Sequence, residues 1–174
     1  MHLKGLWPAS GAVCIFLTVS ALAQSNSVGC RAETLHDPER TALTCPNGVR
    51  IVAEDGTRFS LVDRTAAEGP EAVRLEGQAL MLEVTPGAVE GGFEVITPQA
   101  IAAVRGTKWA VDVANGKTSV FVAEGRVAVS REAGAPVVEL GHGDGVDVEA
   151  GTEPLAVRQW GAARVAALLA RFGE

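Results

Sequence analysis

Glycine recurs through most of the chain at a fairly regular spacing, and the segments between the glycines are short and rich in valine. Short segments of this kind at intervals of 8–12 residues are typical of all-β sandwiches, barrels and solenoids. The sequence therefore predicts an all-β fold, either a twisted two-sheet sandwich or a short β-solenoid-like stack of short strands. The glycines that mark the spacing, with one longer gap, are Gly48, Gly56, Gly69, Gly77, Gly87, Gly106, Gly116, Gly125, Gly134, Gly141 and Gly151.

The valine-rich segments between these glycines are candidate strands, and no linker or low-complexity tract separates them. We therefore expect one domain rather than two. The candidate strands are Val49–Ala53, Phe59–Val62, Ala72–Leu75, Ala79–Val84, Phe93–Thr97, Ala100–Val104, Lys108–Val113, Thr118–Ala123, Arg126–Ser130, Val137–Leu140 and Gly145–Glu149.

The C-terminal segment Trp160–Phe172 has a helical rather than a strand period. Val165, Leu168, Leu169 and Phe172 recur at i, i+3, i+4 and i+7, which places them on one face of a helix. The sequence predicts one C-terminal amphipathic helix. Two roles remain open for it: a cap over an open edge or end of the sheet, or a docking helix for a partner.

The tripeptide Gly116-Lys117-Thr118 is also the end of a phosphate-binding P-loop. That motif requires a further glycine five positions before Gly116, where the chain has Val111. Asn115-Gly116 between two valine-rich segments instead favours a type I′ hairpin turn, since both of its central residues need positive φ. We interpret this stretch as a turn.

Several motifs around this hairpin occur in the order found in one protein family. They are Thr97-Pro98, Val104-Arg105-Gly106-Thr107 with Trp109, Thr118-Ser119-Val120, and Gly125-Arg126-Val127-Ala128-Val129. The stretch Val95–Ser130 resembles the core of the FecR domain, and Val137–Gly151 is similar to the family's next strand pair. The resemblance implies a non-catalytic extracytoplasmic all-β domain that recognises partners or transmits a signal.

Founding members of that family carry a cytoplasmic anti-sigma segment and a membrane helix before this domain. In this chain the residues before the domain resemble only a signal peptide, so we expect a free-standing periplasmic module. Its expected partner is another envelope protein, either a membrane sensor or an outer-membrane receptor. Candidate partner contacts are Arg105, Lys108, Trp160, Arg164 and Arg171, whereas Trp109 is expected in the core.

The N-terminus has the three parts of a secretory signal peptide: one cation at Lys4, an apolar run from Leu6, and the end Ala21-Leu22-Ala23. We expect cleavage between Ala23 and Gln24. A membrane anchor is the alternative, although Pro8 and several small polar residues interrupt the apolar run. After cleavage the chain is not expected to span a membrane.

Cleavage would remove Cys14 and leave Cys30 and Cys45. An even number of cysteines in an oxidising compartment indicates a disulfide. Closing a loop of this size contributes about 3 kcal/mol in the chain-entropy model. Lipidation of Cys30 is the alternative, but Ser27 stands where a lipobox usually has leucine.

The residues offer little for catalysis or for a metal. After cleavage only His36 and His142 remain as histidines, and His142 with Asp144 would supply too few ligands for zinc. No nucleophile, metalloprotease or cofactor motif is present in the sequence, so no enzymatic activity and no cofactor are expected. The net charge of −6 and the lack of a basic cluster argue against nucleic acid.

The sequence thus divides into four parts: a signal peptide (1–23), a disulfide-closed segment (24–48), a FecR-like all-β domain (49–151) and a C-terminal helical segment (152–174). The expected function is periplasmic protein interaction and signalling with a separate membrane sensor or transport regulator. The alternative is a carbohydrate- or cell-wall-associated β-sandwich, either enzymatic or lectin-like, which would need a groove with paired carboxylates or a stacked tryptophan.

Overall fold

A computed structural model describes residues 29–63 and 69–174, so the predicted signal peptide and its cleavage site lie outside the described residues. Within these ranges the fold is all-β with a single C-terminal helix, as the sequence predicted. The elements are β1 (Arg31–Leu35), β2 (Arg40–Thr44), β3 (Val49–Glu54), β4 (Arg58–Val62), β5 (Ala72–Val84), β6 (Phe93–Ile96), β7 (Ile101–Val104), β8 (Thr107–Ala114), β9 (Lys117–Glu124), β10 (Val127–Ser130), β11 (Val138–Leu140), β12 (Asp144–Glu149), β13 (Arg158–Gln159) and α1 (Ala162–Ala170).

The strands form one curled sheet with two layers that share the long strand β5. Layer A has the order β1-β2-β3-β5-β8-β9-β12-β13, and layer B has the order β4-β5-β6-β7-β10-β11. All pairs are antiparallel except β5 with β6, which is parallel. The side chains between the layers form one core, in which Trp109, Phe93 and Leu82 are fully buried.

Strand β5 corrects one sequence-based expectation. The sequence predicted two strands, Ala72–Leu75 and Ala79–Val84, interrupted at Gly77. The structure has one strand whose first half pairs with β4 and β6 and whose second half pairs with β3 and β8. Gly77 and the positive φ of Gln78, 68°, lie where the strand passes from layer B to layer A. The glycine therefore marks a bend within a strand rather than the end of one.

Three strands were missed by the sequence interpretation, namely β1, β2 and β13. Residues 31–44 belong to the segment that was expected to be closed by a disulfide, and the Cys30–Cys45 disulfide is present. Between the two cysteines, β1 pairs with β2, and β2 pairs with β3 of layer A. Four of the five β1 residues are exposed, so β1 has no alternation of buried and exposed side chains by which it could be recognised.

Helix α1 covers the outer face of layer A, where it packs against a second apolar cluster. The predicted helical stripe faces this cluster: Leu168 and Phe172 are buried, and Val165 and Leu169 are half-buried. The outward residues of the helix are mainly alanines. The helix is thus a cover for a sheet face, whereas the sequence had placed it over an edge or end. In the described part of the chain, no helix has the length and apolar character needed to cross a membrane.

Candidate interaction surface

The Val104-Arg105-Gly106-Thr107 motif forms the corner where the chain leaves β7 in layer B and enters β8 in layer A. Gly106 has a φ of 115°, and a Cβ atom there would lie 2.7 Å from the Cα of Pro86. Only glycine fits both the backbone angle and the space. The buried Thr107 donates its hydroxyl to the carbonyl of Arg126, 2.9 Å away, and thereby joins this corner to the next one.

The second corner lies at Gly125, where the chain passes from β9 in layer A to β10 in layer B. Gly125 has a φ of 86°, and a Cβ atom there would lie 2.9 Å from both the carbonyl oxygen of Gly106 and the hydroxyl of Thr107. The two motif glycines are therefore packed against each other. This part of the motif builds the two corners at which the chain crosses between the layers.

Thr97 and Thr118 connect the two layers at another point. Thr97 lies in the turn between β6 and β7, where its hydroxyl accepts the backbone N–H of Ala100 at 2.9 Å. Thr118 of β9 is fully buried, and its hydroxyl lies 2.8 Å from that of Thr97 and 2.9 Å from the side-chain oxygen of Gln99. The Thr-Pro motif thus forms a turn that is fixed by layer A.

Asn115-Gly116 is a hairpin turn, as the sequence predicted. Their φ angles are 53° and 73°, and the flanking residues Ala114 and Lys117 pair with each other. Because Thr118 begins a run of strand pairing rather than a helix, the tripeptide does not form a phosphate-binding loop.

Arg105 differs from the other four candidate partner contacts. Its side chain is exposed at the β7–β8 corner and makes no hydrogen bond or ion pair within the described residues. Lys108 forms a salt bridge with Glu174 at 2.7 Å, which ties the sheet to the C-terminal residue. Arg105 is therefore the candidate cation that is free to contact a partner.

Trp160 and Arg164 belong to a network that fastens α1 to layer A. The Trp160 ring stacks on Phe121 with centroids 5.3 Å apart, and the Arg164 guanidinium carbon lies 3.4 Å from the Trp160 ring centroid. A side chain at Gly145 would overlap the Trp160 ring, so this glycine of β12 leaves the space that the ring occupies. Trp160 is therefore engaged within the chain.

Asp147 of β12 is the carboxylate of this network. Arg164 donates two hydrogen bonds to it, at 2.6 and 2.9 Å, and the Ser119 hydroxyl donates another at 2.6 Å. Burial raises the pKa of Asp147, but the hydrogen bonds from Arg164 and Ser119 outweigh it and hold that pKa below its ordinary value. The carboxylate is thus held in its charged form by groups that position the helix.

Arg171 forms a second ionic link near the end of α1. Its guanidinium donates to Glu54 at 2.5 and 2.9 Å and to Asp112 at 3.0 Å. The hydrogen bonds to Glu54 raise the pKa of Arg171, with burial opposing them and Asp112 adding to them. Both groups with shifted pKa values in the described part of the chain therefore serve the helix–sheet contact.

The two histidines among the described residues lie in turns. His36 is in the turn between β1 and β2, and the His142 ring contacts the carbonyl of Ala123 while Asp144 accepts the backbone N–H of Gly141 at 2.8 Å. In residues 29–63 and 69–174, no group of three or more histidine, cysteine or acidic side chains could hold a metal ion.

A groove that the sequence interpretation missed lies between β4 of layer B and strands β2 and β3 of layer A. Its volume is about 530 Å³, and Leu43, Ala53, Phe59 and Leu61 form its apolar walls. Strand β4 pairs with β5 on one side, and no other described strand pairs with it. The sequence predicted a strand at Phe59–Val62, but no sequence signal indicated that it would lie at an edge.

Comparison of the sequence with models of known protein families identifies the family of this chain. The model of the family described as FecR protein matches residues 33–128, more than half of the chain. The chain belongs to the FecR family. The matched range runs from β1 to β10 and includes the two corners at Gly106 and Gly125. The motif residues of the family therefore lie where the chain crosses between the two layers.

Two solved structures have a similar fold. Both are described as a "putative anti-sigma factor" from Parabacteroides distasonis ATCC 8503, one at 1.65 Å and one at 2.50 Å resolution. The first is 24% identical with a TM-score of 0.60 over 75% of this chain, and the second is 22% identical with a TM-score of 0.61 over 80%. The FecR chain spans 60% and 64% of their lengths. No curated protein matches the chain.

Proposed function

We propose that the chain is a non-catalytic FecR-like interaction and signalling module that acts in the periplasm with a separate membrane sensor or transport regulator. The family match over residues 33–128 carries this proposal. The description of the two structural neighbours as anti-sigma factors supports a regulatory role for the shared fold.

The use of the charged residues supports an interaction role over catalysis. Ionisable groups with shifted pKa values often mark active sites, but ion-pair networks shift pKa values too. Here Asp147 and Arg171 are each paired within the helix–sheet contact. Arg105 remains exposed at a motif corner, where a cation can contact an acidic group of a partner.

The proposed compartment is supported by the Cys30–Cys45 disulfide, because disulfides persist in oxidising compartments. Expression of the full chain in a bacterium, followed by fractionation and mass spectrometry of its N-terminus, tests the compartment. A periplasmic product that begins at Gln24 is expected. A product that keeps residues 1–23 and stays with the membrane would contradict cleavage.

The partner is tested by crosslinking the tagged chain in intact cells, identifying the captured protein, and measuring its binding to the purified chain. We expect one envelope protein and saturable binding. The Arg105→Glu variant is expected to weaken that binding about tenfold, equivalent to roughly 1.4 kcal/mol. Arg126→Glu is the matched control, because Arg126 is exposed at the neighbouring corner. Retention on polysaccharide or cell wall with no protein partner would overturn the proposal.

A further inference from the structure

The four free strand edges of the described sheet differ in their chemistry. Strands β11 and β13 have only three and two residues, and β1 carries Arg31 and Glu33 on an almost fully exposed strand. Short or charged edge strands discourage pairing with another chain. Strand β4 has five residues, of which Phe59, Leu61 and Val62 are half-buried. Its one charged residue, Arg58, reaches back over β5, where its guanidinium donates to the carbonyl of Glu76 at 3.4 Å, and it does not line the groove. Strand β4 is therefore the edge best suited to accept another strand.

The two layers also end at different places beside β4. Layer B ends at β4, whereas layer A continues through β2 and β1. In β2, Thr41 and the core residue Leu43 lie on the same face of the strand. In β1, Thr34 pairs with Thr41 and Ala32 pairs with Leu43, so both lie on that face too. Ala32, Thr34 and Thr41 are all exposed. This face of layer A therefore extends past the last strand of layer B without being covered.

The groove between β4 and this face provides the two things that an added strand needs, namely backbone hydrogen-bonding groups and a place for its side chains. The free edge of β4 offers backbone donors and acceptors, and the walls formed by Leu43, Phe59 and Leu61 contact apolar side chains. Because side chains of a strand alternate between faces, alternate residues of an added strand would point into the groove.

The charge at the ends of β4 indicates the kind of strand that fits. Asp55 lies in the turn before β4 and lines the groove, and Asp63 follows β4 directly. Neither forms an ion pair with a described residue, and one Asp63 carboxylate oxygen is buried without a hydrogen-bond partner. Basic residues at the two ends of an added strand would be complementary to these carboxylates.

We propose that the β4 edge binds an extended segment of the partner protein that adds as one strand to layer B, with alternating apolar residues and basic residues at its ends. This inference rests on the proposed interaction function and adds a second contact surface to the Arg105 corner. A second copy of the chain fits less well, because its β4 is flanked by Asp55 and Asp63 rather than by basic residues.

The test uses the fluorescently labelled peptide acetyl-Lys-Val-Thr-Val-Thr-Val-Lys-amide and the purified chain. Binding is measured by anisotropy, and its position is mapped from backbone amide chemical shifts. The Thr41→Lys variant places a cation in the groove, and Thr44→Lys is the matched control because Thr44 is an exposed threonine of the same strand on the opposite face. Melting temperatures establish that both variants are folded. A further peptide with glutamate in place of both lysines tests the charge requirement.

We expect saturable binding, shift changes centred on residues 58–62, about tenfold weaker binding to Thr41→Lys, and unchanged binding to Thr44→Lys. Weaker binding of the glutamate peptide is also expected. Absence of saturable binding, equal affinity for both threonine variants, or equal affinity of both peptides would overturn the proposal. Concentration-dependent dimerisation lost in Thr41→Lys would overturn it in favour of a second copy. If the captured envelope protein binds wild type and Thr41→Lys equally, this inference fails while the proposed function stands.

Discussion

Gly106 and Gly125 show how single residues of the FecR motif determine the fold. Each has a positive φ, and at each a Cβ atom would collide with the neighbouring corner or with Pro86. Gly116 also has a positive φ, 73°, but no atom lies within 4 Å of where its Cβ would be. A substitution at Gly116 therefore measures the cost of a left-handed backbone alone. A substitution at Gly106, where φ is 115°, adds a collision and a less favourable backbone angle.

The Gly106→Ala variant is expected to lose about 3 kcal/mol or more of unfolding free energy, because it adds a steric collision to backbone strain. Gly116→Ala should lose only about 1 kcal/mol, since it pays for the backbone conformation alone. Urea denaturation of both variants measures the difference. Equal losses of unfolding free energy in the two variants would contradict this prediction, because they would mean that the contact with Pro86 adds no destabilisation.

Asp147 gives a pH-dependent prediction at the same scale. Its pKa is lower in the folded state, so its contribution to stability is present above its ordinary value of 3.8 and is lost as pH falls through the lowered folded pKa. The melting temperature of Asp147→Asn should therefore lie below that of wild type at pH 7. The difference in melting temperature between the two proteins should shrink as the pH falls from 5 towards 2.

The control for Asp147 is Glu139→Gln, because Glu139 pairs with Arg126 in an exposed ion pair that is expected to contribute little. A melting-temperature difference for Asp147→Asn that is constant with pH would contradict the assigned ionic role of the carboxylate.

At the scale of the element, helix α1 has two kinds of attachment to layer A. Its apolar stripe packs on the outer cluster, and its arginines pair with carboxylates of β3, β8 and β12. Deleting the segment from Trp160 onward would expose that cluster, including Phe121 and Met81, and would be a poor probe of partner binding. Point substitutions separate the attachments more cleanly.

Arg171→Met is expected to lower the unfolding free energy by about 2 kcal/mol, since hydrogen bonds to charged groups contribute about 1.5–3 kcal/mol. It would also leave Glu54 and Asp112 without their shared cation. The double variant Arg171→Met/Glu54→Gln should recover part of the loss, because it removes one uncompensated carboxylate. Arg126→Met should change stability by less than about 1 kcal/mol. A loss no larger than that of Arg126→Met would refute the role of Arg171 as an anchor.

At the scale of the whole molecule, the Cys30–Cys45 disulfide and the curled sheet reinforce each other. The disulfide links residues on either side of the β1–β2 hairpin, and β2 continues layer A. Constraint of the unfolded chain is the main source of disulfide stabilisation in the chain-entropy model. The pairing of β2 with β3 then places this closed hairpin beside the groove at the β4 edge.

Replacing both cysteines, as in Cys30→Ala/Cys45→Ala, should lower the unfolding free energy by about 3 kcal/mol. Chemical denaturation of the oxidised wild type and the double variant measures this loss. Reduced wild type is the comparison without a substitution, and it should be destabilised to a similar extent. A much smaller loss in both would show that the unfolded hairpin is already compact.

Local sequence signals predicted most of the strands, the Asn115-Gly116 turn and the helix, whereas the disulfide was predicted from the cysteine count and the expected compartment. They did so because turn chemistry, β-branching and helical periodicity act over a few neighbouring residues. They did not predict that Ala72–Val84 is one strand, that β1 and β2 extend layer A, or that α1 covers a face. The single strand β5 and the covered face depend on contacts between residues far apart along the chain, whereas β1 lacks the alternation by which a strand is recognised.

The sequence by itself determined the all-β class, the family and the Asn115-Gly116 turn, since strand-forming segments, ordered motifs and turn residues are all recognised from neighbours along the chain. The tertiary structure alone decided which cations are free and which strand edge is open. Sequence alone does not distinguish Arg105 from Arg164 and Arg171, yet of these three arginines Arg105 is the one whose side chain has no partner among the described residues. The physical reason is that ion pairing and exposure are set by neighbours that the fold brings together, as Arg171 with Glu54 and Asp112 shows.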